Sequence, residues 1–169
     1  MRYLLIVFAL FAVLSTGNTA QADNVPGVTD DKILVGMTAD LTGPVAFIGQ
    51  QISAGARLYL DHFNAQGGVH GRQIELRVED DGYQPPRAVA AFRKLLNRDK
   101  VFCFAGNLGT PTAMATLPLI ERERVPLVWP ATFSSQMAIP AKRYVFGLDP
   151  NYQVESWLIA QYIVEIEKA

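Results

Sequence analysis

The 169-residue sequence contains few of the residues that usually carry catalysis or bind metals: one cysteine and two histidines. Because Cys103 is alone, an intramolecular disulfide is excluded. Its place in the apolar run 101–104 (VFCF) favours a buried small side chain over a reactive thiol. His62 and His70 have no Ser, Cys or His partner at a recognisable spacing. We therefore expect both histidines to be solvated and assign them no metal-binding or catalytic role.

The sequence also lacks a charge imbalance and the common nucleotide motifs. Its formal net charge is −1, which argues against nucleic acid or an anionic membrane surface as a partner. Neither GxGxxG nor GxxxxGK[ST] occurs. Asp80 and Asp81 are adjacent acids without a third ligand or an acid/base partner nearby, so we interpret Asp81 as a residue that caps or holds a turn. We predict no catalytic residue, no metal and no cofactor.

The N-terminus lacks an apolar run of the roughly 20 residues that a membrane-spanning helix needs. The run at residues 4–14 follows Arg2 and precedes Ala20 and Ala22, small residues at the two positions that a signal peptidase reads. We therefore interpret residues 1–22 as a signal peptide for export to the periplasm, with an uncleaved anchor as the less favoured alternative. Its removal takes away one basic and no acidic residue, which changes the net charge from −1 to −2.

Residues 23–169 alternate between short apolar runs and amphipathic stretches. The runs are typical of buried strands, and the stretches, bounded by Gly or Pro, are typical of helices. The predicted strands cover residues 33–37, 73–79, 101–105, 126–129 and 144–146, and the predicted helices begin near Gln50, Pro85, Pro111 and Gln153. Because each crossover contains a helix, the strands are expected to be parallel. We predict one α/β domain with three layers, a parallel sheet with helices on both faces.

Three loops in this pattern carry candidate binding groups. They comprise residues 41–49, 106–110 and 130–135, and each follows a predicted strand, so we expect them to meet at the carboxyl edge of the sheet. Thr110 lies at a helix start, where N–H groups suit a carboxylate or another anion. For Thr110, a simple helix-capping role and a binding role are equally open at this point.

Several longer motifs stand in a characteristic order. LTGP, NAQGGVHGR and DDGYQP are followed by GTPTAMATLP and VPLVWPAT. Together they resemble the N-terminal lobe of type I periplasmic substrate-binding proteins, above all the branched-chain amino acid (Leu/Ile/Val) receptors of ABC importers and their amide- and urea-binding relatives. The resemblance covers about residue 27 to the C-terminus. It implies a lobe that closes with a second lobe over a small solute, and an ABC permease in the inner membrane as partner.

The resemblance also implies a set of ligand-binding residues, namely Phe47, Thr110, Ala131 and Thr132. Thr110 matches a hydroxyl residue at the helix start. Ala131 and Thr132 match a loop whose carbonyl and hydroxyl meet the α-amino group and the carboxylate of the ligand. The pair Phe47-Ile48 matches a position where an aromatic side chain often walls the pocket, and Phe47 is the aromatic residue of the two, with Trp129 nearby.

Two departures from the family pattern widen the range of ligands. Residues 107–112 read NLGTPT where a Ser-rich loop is common, and Phe133 stands where a second small hydroxyl residue is typical. The expected solute is therefore a branched-chain amino acid, an amide or another small carboxylate.

The length of the chain leaves further alternatives for the function. We expect residues 23–169 to be an incomplete leucine-binding-protein-like domain, with an apolar patch where later elements pack. A ligand-sensing lobe of a regulator or receptor is one alternative function. A truncated remnant is another, because half a clamp binds weakly or not at all.

Overall fold

The computed structural model describes residues 25–167, which form one five-stranded sheet. In chain order the strands are β1 (Lys32–Ala39), β2 (Gln73–Asp80), β3 (Cys103–Ala105), β4 (Leu127–Val128) and β5 (Val145–Phe146). Across the sheet the order is β2-β1-β3-β4-β5. Every pairing is parallel, so the predicted parallel sheet is confirmed. The predicted signal peptide, residues 1–22, lies outside the described residues.

Helices cover both faces of this sheet. They are α1 (Ala46–Ala65), α2 (Pro85–Arg93), α3 (Thr110–Glu123) and α4 (Tyr152–Tyr162); π-helical turns extend α2 (Lys94–Arg98) and α4 (Ile163–Glu167). Helices α2 and α3 enclose one core and α1 encloses the other, which is the predicted three-layer arrangement. Within residues 25–167, no helix combines the length and the apolar character needed to cross a membrane.

The larger core lies between the sheet and helices α2 and α3. Phe92 of α2 stacks on Phe104 of β3 with ring centroids 4.1 Å apart, and both side chains are fully buried. Leu95 is also fully buried, whereas Leu96 is only partly buried. Both leucines pack against this core.

Helix α1 begins at Ala46, earlier than its sequence pattern predicts, because of Asp40. This aspartate follows β1 and is fully buried. Its carboxylate accepts the N–H groups of Gly43 at 2.5 Å and Val45 at 2.7 Å, which fixes the loop leading into the helix. Gly49, near the start of α1, packs directly against the Asp40 backbone. Sequence rules look for a capping residue directly before the helix. They therefore do not identify Asp40, which lies at the end of β1.

Helix α4 carries the exposed apolar patch that the sequence predicts. Asn151 caps the helix by accepting the N–H groups of Gln153 and Val154, so the predicted start at Gln153 is one residue late. No residue of α4 is buried. Trp157 is 63% exposed, and Val164 in the following turn is 66% exposed. An apolar surface of this kind is unusual on a free-standing domain.

Candidate functional site

A cavity of about 310 Å³ opens at the carboxyl edge of the sheet; we call it the carboxyl-edge cavity. Its lining comes from residues 41–49 with the first turns of α1, from residues 106–110, and from residues 130–135. The predicted meeting of these three loops is therefore confirmed. The loops after β2 and β5 contribute further side chains. The volume lies at the low end of the roughly 300–1,000 Å³ typical of small-molecule pockets.

Backbone hydrogen bonds beyond the ends of the strands hold two of these loops together. Leu108 N donates to Thr38 O at 3.1 Å, and Gly109 N donates to Ala131 O at 3.2 Å. Ala131 N donates to Asn107 O at 2.9 Å, and Leu108 and Ala131 form an isolated parallel bridge. The backbone at the base of the cavity is thus a continuation of the sheet, which makes the positions of the following side chains rigid.

Thr110 and Thr132 form a hydroxyl pair in the cavity, with their Oγ1 atoms 2.5 Å apart. Thr132 is almost fully buried, at 9% exposure, and its Oγ1 also accepts the N–H of Ser134 at 3.3 Å. Thr110 is the first residue of the 14-residue helix α3, where the helix dipole gives a positive potential. One O–H hydrogen is used between the two hydroxyls, and the other can turn to an anion. The arrangement suits a carboxylate.

The alternative role of Thr110, as a plain helix cap, is wrong. The N-cap position of α3 is Gly109, with φ of 98°, and no side chain caps the helix there. Thr112 instead donates its hydroxyl to the carbonyl oxygens of Leu108 at 2.5 Å and Gly109 at 3.0 Å. The Thr110 hydroxyl meets that of Thr132 rather than a backbone group of α3, and Thr110 lines the cavity.

The structure brings three of the four predicted binding residues together. Ala131 lines the cavity beside Thr110 and Thr132. Phe47 does not line it; its side chain is 75% exposed. Because successive helical residues point in different directions, the early start of α1 directs Ile48, rather than Phe47, into the cavity.

Sequence reasoning missed three cavity residues that follow β2 and β5. Tyr83 comes from the DDGYQP motif after β2, and Asp149 and Tyr152 come from the segment after β5. The signal for them was available, because ligands of parallel sheets lie beyond the carboxyl ends of the strands. Trp129 and Phe133, both noticed in the sequence, complete an aromatic wall.

Asp80 joins the loop after β2 to the loop after β1. Its Oδ1 accepts the N–H of Leu41 at 2.8 Å, and its Oδ2 accepts the Thr42 hydroxyl at 2.6 Å and pairs with Arg87 at 2.7 Å. Burial raises the pKa of Asp80, but these hydrogen bonds, with one from Gly82, outweigh it and hold the pKa at about 2. Asp80 is therefore a charged structural residue.

Asp81 holds the turn that carries Tyr83, as its turn-forming interpretation predicts. Its Oδ1 accepts the N–H of Tyr83 at 2.8 Å, while its buried Oδ2 has no hydrogen-bond partner among the described residues. Burial raises the pKa of Asp81 to about 6, and the charges of Asp40 and Asp80 add to the increase. Asp81 thus loses its proton at a higher pH than its neighbour Asp80.

The remaining candidate groups lie elsewhere. Cys103 is partly buried, and burial raises the pKa of its thiol to about 11, in line with a poorly reactive side chain. His62 and His70 are exposed. In residues 25–167 there is no cluster of three or more His, Cys, Asp or Glu side chains arranged for a metal.

A larger groove of about 410 Å³, the β2 edge groove, lies beside the outer strand of the sheet. Arg57, Glu75, Arg77 and Glu79 line it, together with neighbouring residues, and Arg77 pairs with Glu75. It contains none of the predicted binding residues. Because its charged side chains are partly paired and it lies away from the carboxyl edge, we take the carboxyl-edge cavity as the candidate site.

Comparisons with known proteins agree with this fold and site. A family model described as periplasmic binding protein matches residues 32–169. A leucine-, isoleucine-, valine-, threonine- and alanine-binding protein of Pseudomonas aeruginosa is 30% identical over 122 residues, which cover 70% of this chain and 32% of that protein. The relatives are named as binding proteins rather than enzymes.

Two solved structures are similar to most of this chain. A fatty acid ABC transporter substrate-binding protein from Thermomonospora curvata has a TM-score of 0.78 and 31% identity, covering 89% of this chain and 37% of that one. An ABC transporter solute-binding protein from Rhodopseudomonas palustris BisB5, in complex with 3,4-dihydroxybenzoic acid, has a TM-score of 0.72 and 27% identity, covering 80% and 37%. The chain spans about a third of the length of these proteins. It belongs to the type I periplasmic binding protein family and comprises part of that fold.

Proposed function

We propose that the chain is a solute-binding component of an ABC importer and that the carboxyl-edge cavity holds the carboxylate end of a small solute. The observation that carries the proposal is the hydroxyl pair of Thr110 and Thr132 at the N-terminus of α3. A carboxylate there gains hydroxyl hydrogen bonds and the helix dipole at once. The surrounding walls, among them Ile48 and Leu108, are largely apolar and suit the body of such a solute.

The ligands of the relatives support this class of solute. One relative is named for leucine, isoleucine, valine, threonine and alanine, one for fatty acids, and one was solved with 3,4-dihydroxybenzoic acid. These compounds share a carboxyl group, and most combine it with an apolar body. The proposed solutes are therefore branched-chain amino acids or related small carboxylates and amides, with Thr110, Ala131 and Thr132 as the contact residues.

The proposed location is the periplasm, and the proposed partner is an ABC permease of the inner membrane. The signal peptide interpretation of residues 1–22 and the family membership of residues 32–169 support both. Solute uptake that is unchanged when the gene of this chain is deleted would argue against the importer role.

Isothermal titration calorimetry on the purified chain tests the carboxylate site. We expect leucine and 3-methylbutanoate to bind and 3-methylbutan-1-ol, which lacks the carboxylate, to give no heat of binding. Thr110→Val removes the hydroxyl at nearly constant volume and is expected to weaken binding about tenfold or more, since hydrogen bonds to charged groups are the strong ones.

Thr116→Val is the matched control on the same helix. Thr116 is fully buried, and its hydroxyl donates to Ala113 O within α3 rather than into the cavity. This variant should bind 3-methylbutanoate within about twofold of the unchanged chain, since the mutation leaves the ligand contacts intact. Equal effects of the two substitutions, or binding of the alcohol as tightly as the acid, would refute the carboxylate assignment.

A further inference from the structure

The apolar wall of the carboxyl-edge cavity is built largely from aromatic rings. Tyr83, Trp129, Phe133 and Tyr152 line it and come from the segments after β2, β4 and β5. Phe133 and Tyr152 pack edge to face, with centroids 5.6 Å apart and ring planes at 73°. Aromatic faces and edges attract a further ring more strongly than an aliphatic group of equal area. The hydroxyl pair can recognise a carboxylate. The aromatic wall can recognise the part of the ligand that carries this carboxylate.

Two of these rings are held by an uncommon backbone conformation. Tyr83 has φ of 60° and Trp129 has φ of 48°, in the left-handed region that bulky residues rarely adopt. Such residues persist where their surroundings hold them, and they cluster at ligand sites. Asp81 accepts the N–H of Tyr83, and the carboxylate of Asp149 accepts the indole N–H of Trp129. Asp81 thus holds the Tyr83 backbone, and Asp149 holds the Trp129 ring.

The Tyr83 ring lies directly on the backbone that precedes the hydroxyl pair. A side chain at Gly109 would come within 3.1 Å of Tyr83 Cδ2 and still closer to Cε2. Gly109 also has φ of 98°, so glycine is required there on both grounds. Because Gly109 is adjacent to Thr110, the Tyr83 ring lies close to the proposed carboxylate position, and both residues line the cavity.

Asp149 is the one acidic side chain that lines the cavity among the described residues. One oxygen of its carboxylate accepts the Trp129 indole N–H. The acid thus orients one ring of the aromatic wall.

We propose that the cavity selects small aromatic carboxylates over aliphatic ones and that Tyr83 is the specificity-determining residue, packing against the ligand ring. The inference rests on the proposed function, because it takes the hydroxyl pair as the carboxylate site. Trp129 forms a second aromatic surface beside the ligand.

The test compares benzoate with cyclohexanecarboxylate, an acid of similar size without an aromatic face, in NMR titrations of the purified chain. The sequence has two tryptophans, so the indole N–H signal of Trp129 reports on the cavity and that of Trp157, on α4, serves as internal reference. We expect benzoate to bind roughly two- to tenfold more tightly than cyclohexanecarboxylate. Tyr83→Leu should reduce that preference, and Tyr59→Leu, at a 67% exposed tyrosine on α1, should leave it unchanged.

The possible outcomes separate the inference from the proposed function. Equal or tighter binding of cyclohexanecarboxylate or leucine by the unchanged chain would overturn the aromatic preference and leave the carboxylate site standing. Equal weakening of both acids by Tyr83→Leu would do the same, since it would reduce Tyr83 to a bulky wall. No shift of the Trp129 signal with any carboxylate, leucine included, would refute the proposed function and the inference with it.

Discussion

Replacement of Gly49 by alanine is predicted to damage the fold at the point where it supports the site. Gly49 lies in α1 and is buried against Asp40. An added methyl group would lie 2.8 Å from the carbonyl carbon of Asp40, 3.2 Å from its N, and closer still to its carbonyl oxygen. Because all three atoms belong to the backbone, no side chain can rotate away to make room.

The magnitude follows from the distance that the helix must move. Carbon atoms in contact prefer about 3.5–4.0 Å, so α1 must withdraw from Asp40 by roughly 1 Å or more. Overpacking costs about 1–3 kcal/mol where side chains can adjust. Because Asp40 is also held by Gly43 and Val45, we expect Gly49→Ala to cost about 3 kcal/mol, a large part of the roughly 5–15 kcal/mol that stabilises a domain.

Gly55→Ala on the same helix is the matched control. No atom lies within 4 Å of a methyl group placed at Gly55, so alanine there adds helix propensity without a clash and should stabilise the protein by about 0.5–1 kcal/mol. Urea unfolding at 25 °C, followed by circular dichroism, measures both free energies of unfolding. Equal stabilities for the two variants would refute the packing of α1 on Asp40.

The other predictions concern charge and reactivity. With its pKa raised to about 6, Asp81 contributes stability that is fully present below the pKa of about 4 of the unfolded chain and is lost as the pH rises through 6. The stability of Asp81→Asn relative to the unchanged chain should therefore rise by about 2 kcal/mol between pH 4 and pH 7; a constant difference across that range would contradict the raised pKa. Cys103, with its pKa near 11, should react with a disulfide reagent at pH 8 far more slowly in the folded chain than in urea, and equal rates would contradict its burial.

Sequence patterns predict the architecture well, because its determinants are local. The strand runs around residues 33–37 and 73–79 alternate with amphipathic helices, and a parallel sheet with helices on both faces follows from that order. The same order places Thr110, Ala131 and Thr132 at one edge of the sheet. No single contact between distant residues was needed for either conclusion.

The details that sequence patterns miss depend on contacts between distant residues. Asp40 sets the start of α1 across a loop, and that start decides that Ile48 rather than Phe47 faces the cavity. The sequence leaves a capping role and a binding role for Thr110 equally open, and its contact with Thr132 favours the binding role. Tyr83 reaches the cavity only because Gly109, on another loop, leaves space for its ring.

A crystal structure of the chain with 3-methylbutanoate tests the central claim most directly. The account predicts that the carboxylate oxygens lie within about 3.2 Å of the Oγ1 atoms of Thr110 and Thr132, with the branched body against Tyr83 and Ile48. A carboxylate bound in the β2 edge groove, or turned away from both hydroxyls, would contradict it.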